Sequence, residues 1–344
     1  MIITVTVNPS LDLTYTLPVD EGDVDVHRAS RSTLEASGKG VNVSRALAKA
    51  GVPTCAVLPA GGGTGRYLAE LLDMEGVSSR ITHQAGETRV NTTALHPGGV
   101  TVKLNGPGGG LTVAEQEDLL HQTQLVLEDA RTTAFGSVWV AVCGSLPPRL
   151  DARLVADVVD LAHQFGARCA VDASGDALVA ALGARADLLA PNRLELAEIR
   201  PRVDTMQTLA DFANTARAIS VETGAELLIS LGKDGALYTD GVQVLHGWGP
   251  PLTPINSAGA GDALLAGWLS TEADAPSRLA RAISWGRSAC LSATTVDPNP
   301  GHGDTAQVSV TDLATGRETP VPPTSRPYSD NTTVMSAEIA PERI

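Results

Sequence analysis

The chain has 344 residues, 25 Lys and Arg against 39 Asp and Glu for a formal net charge of −14, and only 3% aromatic residues. That length holds one large α/β domain or two smaller ones, and the acidic balance disfavours nucleic acid or an anionic membrane as a partner, so a small anionic substrate would need a local cluster of bases. Cys55, Cys143, Cys169 and Cys290 have no paired spacing and read as reduced residues rather than disulfides or metal ligands; with no basic start or cleavage site in Met1 to Val7 and no bilayer-length apolar run, we expect a soluble cytoplasmic protein.

Ile2 to Val7 reads as a strand that Asn8-Pro9-Ser10 stops, and Leu11 to Tyr15 alternates as a second short strand. Asp12 stands in it at an inward-facing position; a lone Asp there also suits a turn or cap. Ser37-Gly38-Lys39-Gly40-Val41-Asn42-Val43 then feeds a helix to about Ala50, closed by Gly51 with Pro53 beyond. It is not a P-loop, because Gly40 stands where Ser or Thr should follow the Lys and Thr33 where the first Gly should be. Lys39 and Asn42, a cation and a bifunctional hydrogen-bonder at a helix start, nonetheless suit gripping a polyol or a phosphate.

Cys55 to Pro59 reads as a strand, Gly61-Gly62-Gly63-Thr64-Gly65 as a mobile turn, and Tyr67 to Met74 as a helix. Two β-rich runs, Arg89 to Ala94 and Val100 to Asn105, flank His96-Pro97-Gly98-Gly99 as a hairpin. Arg89, Asn91 and Thr93 share one face of the first run and Lys103 and Asn105 one face of the second, which suits either a lid over an anion or a solvated sheet face. A helix follows from about Val113 to Arg131. Thereafter strands at Val138 to Cys143, Cys169 to Val171, Leu188 to Ala190 and Leu227 to Leu231 alternate with helices at Leu150 to Phe165, from Pro191-Asn192-Arg193-Leu194-Glu195, and at Met206 to Thr223. The turn Gly232-Lys233-Asp234-Gly235 and a two-stranded segment through Leu245 come next. Such repetition predicts a parallel sheet covered on both faces, with ligands at the C-terminal ends of its strands.

The stretch from Pro254 to Leu269 reads as a glycine-rich loop opening into a buried helix. Gly259, Ala260 and Gly261 leave backbone N–H groups open to an anion at the helix start, and Asp262 lies in the first turn, where the dipole is expected to keep it ionised beside an incoming hydroxyl. A carboxylate next to an anion hole suits phosphoryl transfer to an alcohol. A helix capped by Asp after a flexible turn fits the same residues. Ser277 to Thr294 forms a further helix, and beyond about Thr305 the pattern fades, so residues 317–344 are expected to be a disordered tail behind a domain of residues 1–316.

Taken together, the loop Ser37 to Asn42, the turn Gly144-Ser145-Leu146-Pro147-Pro148, Pro191 to Glu195, Ser230-Leu231-Gly232-Lys233-Asp234-Gly235 and Gly259-Ala260-Gly261-Asp262 resemble the PfkB (ribokinase-like) sugar kinases, in the family's order across roughly residues 2 to 300. The opening Thr4 to Asp12, Gly38-Lys39-Gly40 and Lys103-Leu104-Asn105 resemble its 1-phosphofructokinase branch, close to the tagatose-6-phosphate kinases. The resemblance implies a ribokinase-like α/β core with a mostly parallel sheet and a small β lid from about residues 11–36 and 86–107. It implies Asp262 as catalytic base, Gly259, Ala260 and Gly261 as anion hole, and Ser230, Leu231, Gly232, Lys233, Gly235 and Asn256 around ATP. Asn192 and Glu195 would organise Mg2+, which suits amide and carboxylate oxygens. Asp12, Gly38, Lys39, Asn42, Arg89, Asn91 and Lys103 would hold the phosphosugar. The expected reaction is phosphorylation of fructose 1-phosphate at its 6-hydroxyl; a tagatose-6-phosphate or fructose-6-phosphate kinase, or a catalytically silent sensor, remain the alternatives. Exposed lid edges would suit a homodimer. Two departures stand out: many relatives carry Glu where this chain has Gly106, and Gly where it has Arg149.

Overall fold

In chain order the elements are β1 (Ile2–Val5), β2 (Ser10–Thr16), β3 (Arg31–Ser37), α1 (Lys39–Lys49), β4 (Thr54–Ala60), α2 (Gly62–Met74), β5 (Ser79–His83), β6 (Arg89–Leu95), β7 (Thr101–Asn105), α3 (Val113–Thr133), β8 (Trp139–Cys143), α4 (Arg153–Gln164), β9 (Arg168–Asp172), α5 (Asp176–Gly183), β10 (Leu188–Leu189), α6 (Arg193–Ile199), α7 (Leu209–Thr223), β11 (Glu226–Ser230), β12 (Ala236–Thr239), β13 (Val244–Trp248), α8 (Ala260–Leu269), α9 (Ala275–Cys290), β14 (Ser309–Asp312) and β15 (Arg317–Thr319). The structure, a computed structural model, describes residues 1–18, 26–96, 101–133, 136–199, 208–300 and 307–319.

Two sheets result. The larger runs β15-β14-β13-β12-β11-β10-β9-β8-β1-β4-β5; from β11 to β5 every pairing is parallel, and from β11 to β15 every pairing is antiparallel. Its central strands are buried on both faces, as a parallel sheet between helical layers must be. The alternation of side chains sorts each strand between two cores. Ile3, Val5, Val140 and Val142 join the layer packed by α3, α4, α5 and α7, while Ile2, Trp139, Ala141 and Cys143 join the layer packed by α1, α8 and α9. The smaller sheet, β3-β2-β6-β7, is the expected lid. Leu11, Leu34 and Ala36 root it on Val41, Leu58, Leu68 and Leu72 in a third apolar cluster.

Two expectations need correction. The glycine run at residues 61–65 is not a mobile turn but the first turn of α2. Glu87 accepts from the N–H groups of Gly63 (3.2 Å) and Thr64 (3.2 Å), supplying the cap, and a Cβ on Gly62, at φ 67°, would fall 2.0 Å from the Glu87 carboxyl carbon. Glycine is there because the capping acid lies against the backbone. The second correction concerns the chain end: β14 and β15 extend the sheet antiparallel to β13, so ordered structure continues through Thr319, and the remainder of the expected tail lies outside the described residues. The tip of the β6–β7 hairpin and the expected start of α7 at Met206 also fall outside them; within them α7 begins at Leu209 and is capped by Thr208, whose hydroxyl and Asp211 form a capping box. The strand β5 and the helix α5 were not anticipated. The four cysteines are free, and Cys55, Cys143 and Cys169 are buried.

Candidate active site

Strand order reverses at β1, which pairs with β4 on one side and β8 on the other. In a parallel sheet that reversal opens a crevice at the C-terminal strand ends. Asn8 and Ser10 follow β1, Gly144 follows β8, Asp172 ends β9, Asn192 follows β10 and Ser230 ends β11, with Asn192 and Ser230 joined by an isolated bridge. The helices α1 and α8 start at the same end.

α8 is apolar on all sides and buried from Asp262 to Leu269, so its position is set by the core rather than by solvent. Gly259 precedes it at φ 75°, and a Cβ there would meet Thr295 O at 2.2 Å. The first intrahelical bond is Ala263 N–H to Gly259 O, which leaves the N–H groups at the helix start free for an anion. Beside Gly261 the space is open.

Asp262 is 7% exposed, and its Oδ2 accepts a 2.8 Å hydrogen bond from Asn42 Nδ2. Burial, followed by the charge of Asp172, pushes its carboxyl from 3.8 up to about 7, against the Asn42 bond and Lys39, which pull it down. The helix dipole does not keep it ionised as expected. A dipole contributes about 0.3–1 kcal/mol, whereas full burial moves a carboxyl by several pKa units. A carboxylate that gains a proton near neutrality is poised to take one from a hydroxyl.

Lys39 Nζ lies 2.7 Å from Asp172 Oδ1 and 3.7 Å from Glu195 Oε1. Burial opposes its charge, but Asp172, Glu195 and Asp262 together raise its pKa. The ammonium thus ties the end of β9 to the first turn of α6, and Asn42 orients the Asp262 carboxylate. Asp172, 4% exposed, was missed. Its signal in the sequence is an acid directly after the apolar run Cys169-Ala170-Val171, at the C-terminal end of a parallel strand, where ligands bind.

The lid presents the face its alternation predicted. Register places Asp12 opposite Asn91, Asn91 opposite Asn105 and Thr93 opposite Lys103. Asp12 accepts from Ser10 (2.8 Å), Ser37 (2.7 Å) and Asn91 (2.8 Å), so two unanticipated serines hold it. Arg89 donates to Asn8 O (2.9 Å) and Gly106 O (3.2 Å), and its buried Nε has no partner among the described residues. Lys103 is exposed. Gly106 gives its N–H to Asn91 Oδ1 at 3.1 Å, and a Cβ there would lie 2.9 Å from Val90 O.

On the β11 side, Ser230 leads into a 3₁₀ turn from Gly232 to Asp234, and Leu231 buries its side chain in the core, so Leu231 offers only backbone to a ligand. Gly235 sits at φ 88° with Gly247 O against it, and Asn256 Oδ1 caps Ala258 N–H at 3.0 Å. Asn192 and Glu195 cap α6 reciprocally: Asn192 N–H donates to Glu195 Oε2 (2.8 Å), and Asn192 Oδ1 accepts from Leu194 and Glu195 N–H. Glu195 Oε1 is left toward Lys39, and burial raises the Glu195 pKa. Three carboxylates around one ammonium make this corner net negative, which fits a cation. Among the described residues no group of three or more His, Cys, Asp or Glu could hold a metal; the donors fit a hard ion carried largely by nucleotide phosphates and water.

A family model for the pfkB family carbohydrate kinases matches residues 6–299. The 1-phosphofructokinase of Rhodobacter capsulatus is 34% identical over 292 residues, 83% of this chain and 89% of that protein. The ATP-dependent 6-phosphofructokinase isozyme 2 of Escherichia coli is 32% identical over 273 residues, 77% and 83% of the two chains. Among solved structures, the phosphofructokinase-2 from Escherichia coli in complex with fructose-6-phosphate has a TM-score of 0.77 at 28% identity, covering 88% of this chain and 97% of that one; the tetrameric inhibited form of phosphofructokinase-2 from the same organism gives 0.75 over the same shares. No helix of the described residues is long and apolar enough to cross a membrane. Because the family match takes in the lid sheet and every site residue placed above, the chain belongs to the pfkB family of carbohydrate kinases.

Proposed function

We propose that this kinase transfers the γ-phosphoryl group of ATP, with Mg2+, to the 6-hydroxyl of fructose 1-phosphate, giving fructose 1,6-bisphosphate. The observation that carries the reaction type is Asp262, a buried carboxyl with a pKa near 7 beside free N–H groups at the start of α8. Asp262 takes the hydroxyl proton, and Gly259, Ala260 and Gly261 hold the charge that develops on the transferred group. Asp12, Asn91 and Gly38 meet the sugar hydroxyls; Arg89 and Lys103 meet its phosphate; Lys39 and Asn42 set the charge and direction of the base. Ser230 to Gly235 and Asn256 border the nucleotide, and Glu195 Oε1, with Asn192 fixing its carboxylate, faces the metal or its waters. Curated 1-phosphofructokinases at about a third identity support the choice of substrate.

A coupled ADP-release assay over fructose 1-phosphate, fructose 6-phosphate, tagatose 6-phosphate and fructose tests this directly. We expect fructose 1-phosphate to lead by at least about tenfold in kcat/KM, since a charge-assisted phosphate contact is worth that much, and chelation of Mg2+ to abolish turnover. A faster rate with either 6-phosphate would overturn the substrate, and ADP release independent of every sugar would overturn the kinase reading of the site.

The lid also supports a homodimer. Tyr15, Val90, Val102 and Leu104 are exposed, and register puts them on the face opposite Asp12 and Asn91, an apolar surface on an edge-bearing sheet. Sedimentation should give a dimer for the native chain and a monomer for Leu104→Asp; a native monomer at micromolar concentration would remove the proposal.

A further inference from the structure

Arg149 is held in a conformation that its side chain makes costly. Leu150 N–H bonds Pro147 O at 3.2 Å, Pro148 occupies the second position of that turn, and Arg149 has φ 68°, the third-position geometry for which glycine is the unstrained residue. Among the described residues the other non-glycine with positive φ is Arg185. There the N–H groups of Arg185 and Ala186 bond Leu182 O and Ala181 O, the ordinary left-handed close of a helix. Arg149 ends no helix. Its side chain is exposed, and its guanidinium has no ion-pair or hydrogen-bond partner among the described residues. A strained residue with no structural partner points to a ligand.

A cavity of about 360 Å³ lies beside it, lined by Gly108, Gly110, Leu111, Pro148, Arg149 and Leu150. The cavity shares a wall with the site: a Cβ on Gly108 would fall 2.2 Å from Asn8 Oδ1, and Asn8 O is one of the two carbonyls that hold Arg89. The Arg149 turn follows Gly144 at the end of β8, next to β1 in the sheet. The N–H groups of Gly108 and Gly110 have no acceptor among the described residues. A guanidinium and two glycine N–H groups, none of them paired among the described residues, border this one cavity, which suits an anion, and a guanidinium binds two phosphate oxygens at once.

We propose that Arg149, with the Gly108 and Gly110 amides, joins Arg89 and Lys103 in holding the non-reacting phosphate of the phosphosugar and so adds to the specificity for it; this rests on the kinase reading above. Arg149→Gly is the informative variant, because it relieves the backbone strain and should melt no lower than the native chain. We expect its KM for fructose 1-phosphate to rise about tenfold, with KM for ATP and kcat nearly unchanged, weak turnover of fructose unaffected, and Arg149→Lys intermediate. An unchanged KM for the phosphosugar, a rise in KM for ATP instead, or an equal rise for fructose would each overturn the assignment. If another sugar phosphate proves to be the substrate, the substrate proposal fails by itself, and the same comparison made with that sugar phosphate still decides the role of Arg149.

Discussion

The pKa of Asp262 couples activity to stability at a single carboxyl. Its folded value, about 7, stands above the ordinary 3.8, so between about pH 4 and pH 7 the unfolded chain has released this proton while the folded chain still holds it. By linkage the group's contribution to stability is complete below about pH 4 and is lost as pH rises to about 7; above that, the native state bears a buried charge. Asp262→Asn should therefore melt higher than the native chain at pH 8 and the same at pH 4, while kcat falls by about a hundredfold or more. A lower melting temperature at pH 8 would show that the carboxylate is stabilising after all. The same value sets the acid limb of kcat/KM near pH 7. Asp172→Asn removes the second cause of the shift and releases Lys39 toward Asp262, so that limb should move to lower pH. The substrate phosphate titrates near 6 in both enzymes, and the difference between the profiles isolates the protein. A limb that stayed in place would mean that Asp172 does not govern the base.

Between elements, one buried cluster fastens the lid to the core. Arg45 of α1, 2% exposed, donates to both Glu75 oxygens (2.8 and 2.7 Å), to Ala36 O (2.8 Å) and to Glu35 (3.2 Å). Glu35, on β3, in turn accepts from Thr295 N–H at 3.3 Å, and Thr295 O lies against Gly259. Removing one member of a buried ion pair leaves the other charged and unpaired, at about 3–5 kcal/mol. Arg45→Ala should cost about that in denaturant unfolding, whereas Arg153→Ala, which loses an exposed pair with Asp157, should cost almost nothing; equal losses would contradict the ranking. This cluster also shows where sequence reading stops. Gly259 to Asp262 and Ser37 to Asn42 were legible because each motif is contiguous and its chemistry is carried by neighbours in the chain. Arg45, Glu75, Glu35 and Thr295 span 260 positions, and nothing local marks any of them as a partner of the others. Asp172 and Lys39 meet only because β9 ends beside the start of α1. The glycines of α2 read as a turn for the same reason, since the acid that caps them arrives from residue 87.

Across the whole molecule, the last two described strands, β14 and β15, decide how the large sheet is closed. Val308 and Val310 are 5% and 0% exposed and belong to the core that holds α8 and α9, and β14 covers β13 with Val310 opposite Gly247. A chain ending at Pro300 would lose both valines, at about 3–6 kcal/mol by the usual worth of a buried valine, and would expose β13 as an unprotected edge. A chain ending at Thr319 keeps both strands and both valines. The first truncation should unfold at markedly lower denaturant or aggregate on expression, and because the lost strands pack on α9, which packs on α8, it should lose turnover as well. The second should match the full chain in melting temperature and kcat. If the shorter chain were as stable as the longer, the hairpin would be an ornament on a core already closed at β13; if the chain ending at Thr319 lost activity, residues beyond it would contribute to the site in a way that their weakly apolar sequence gives no reason to expect.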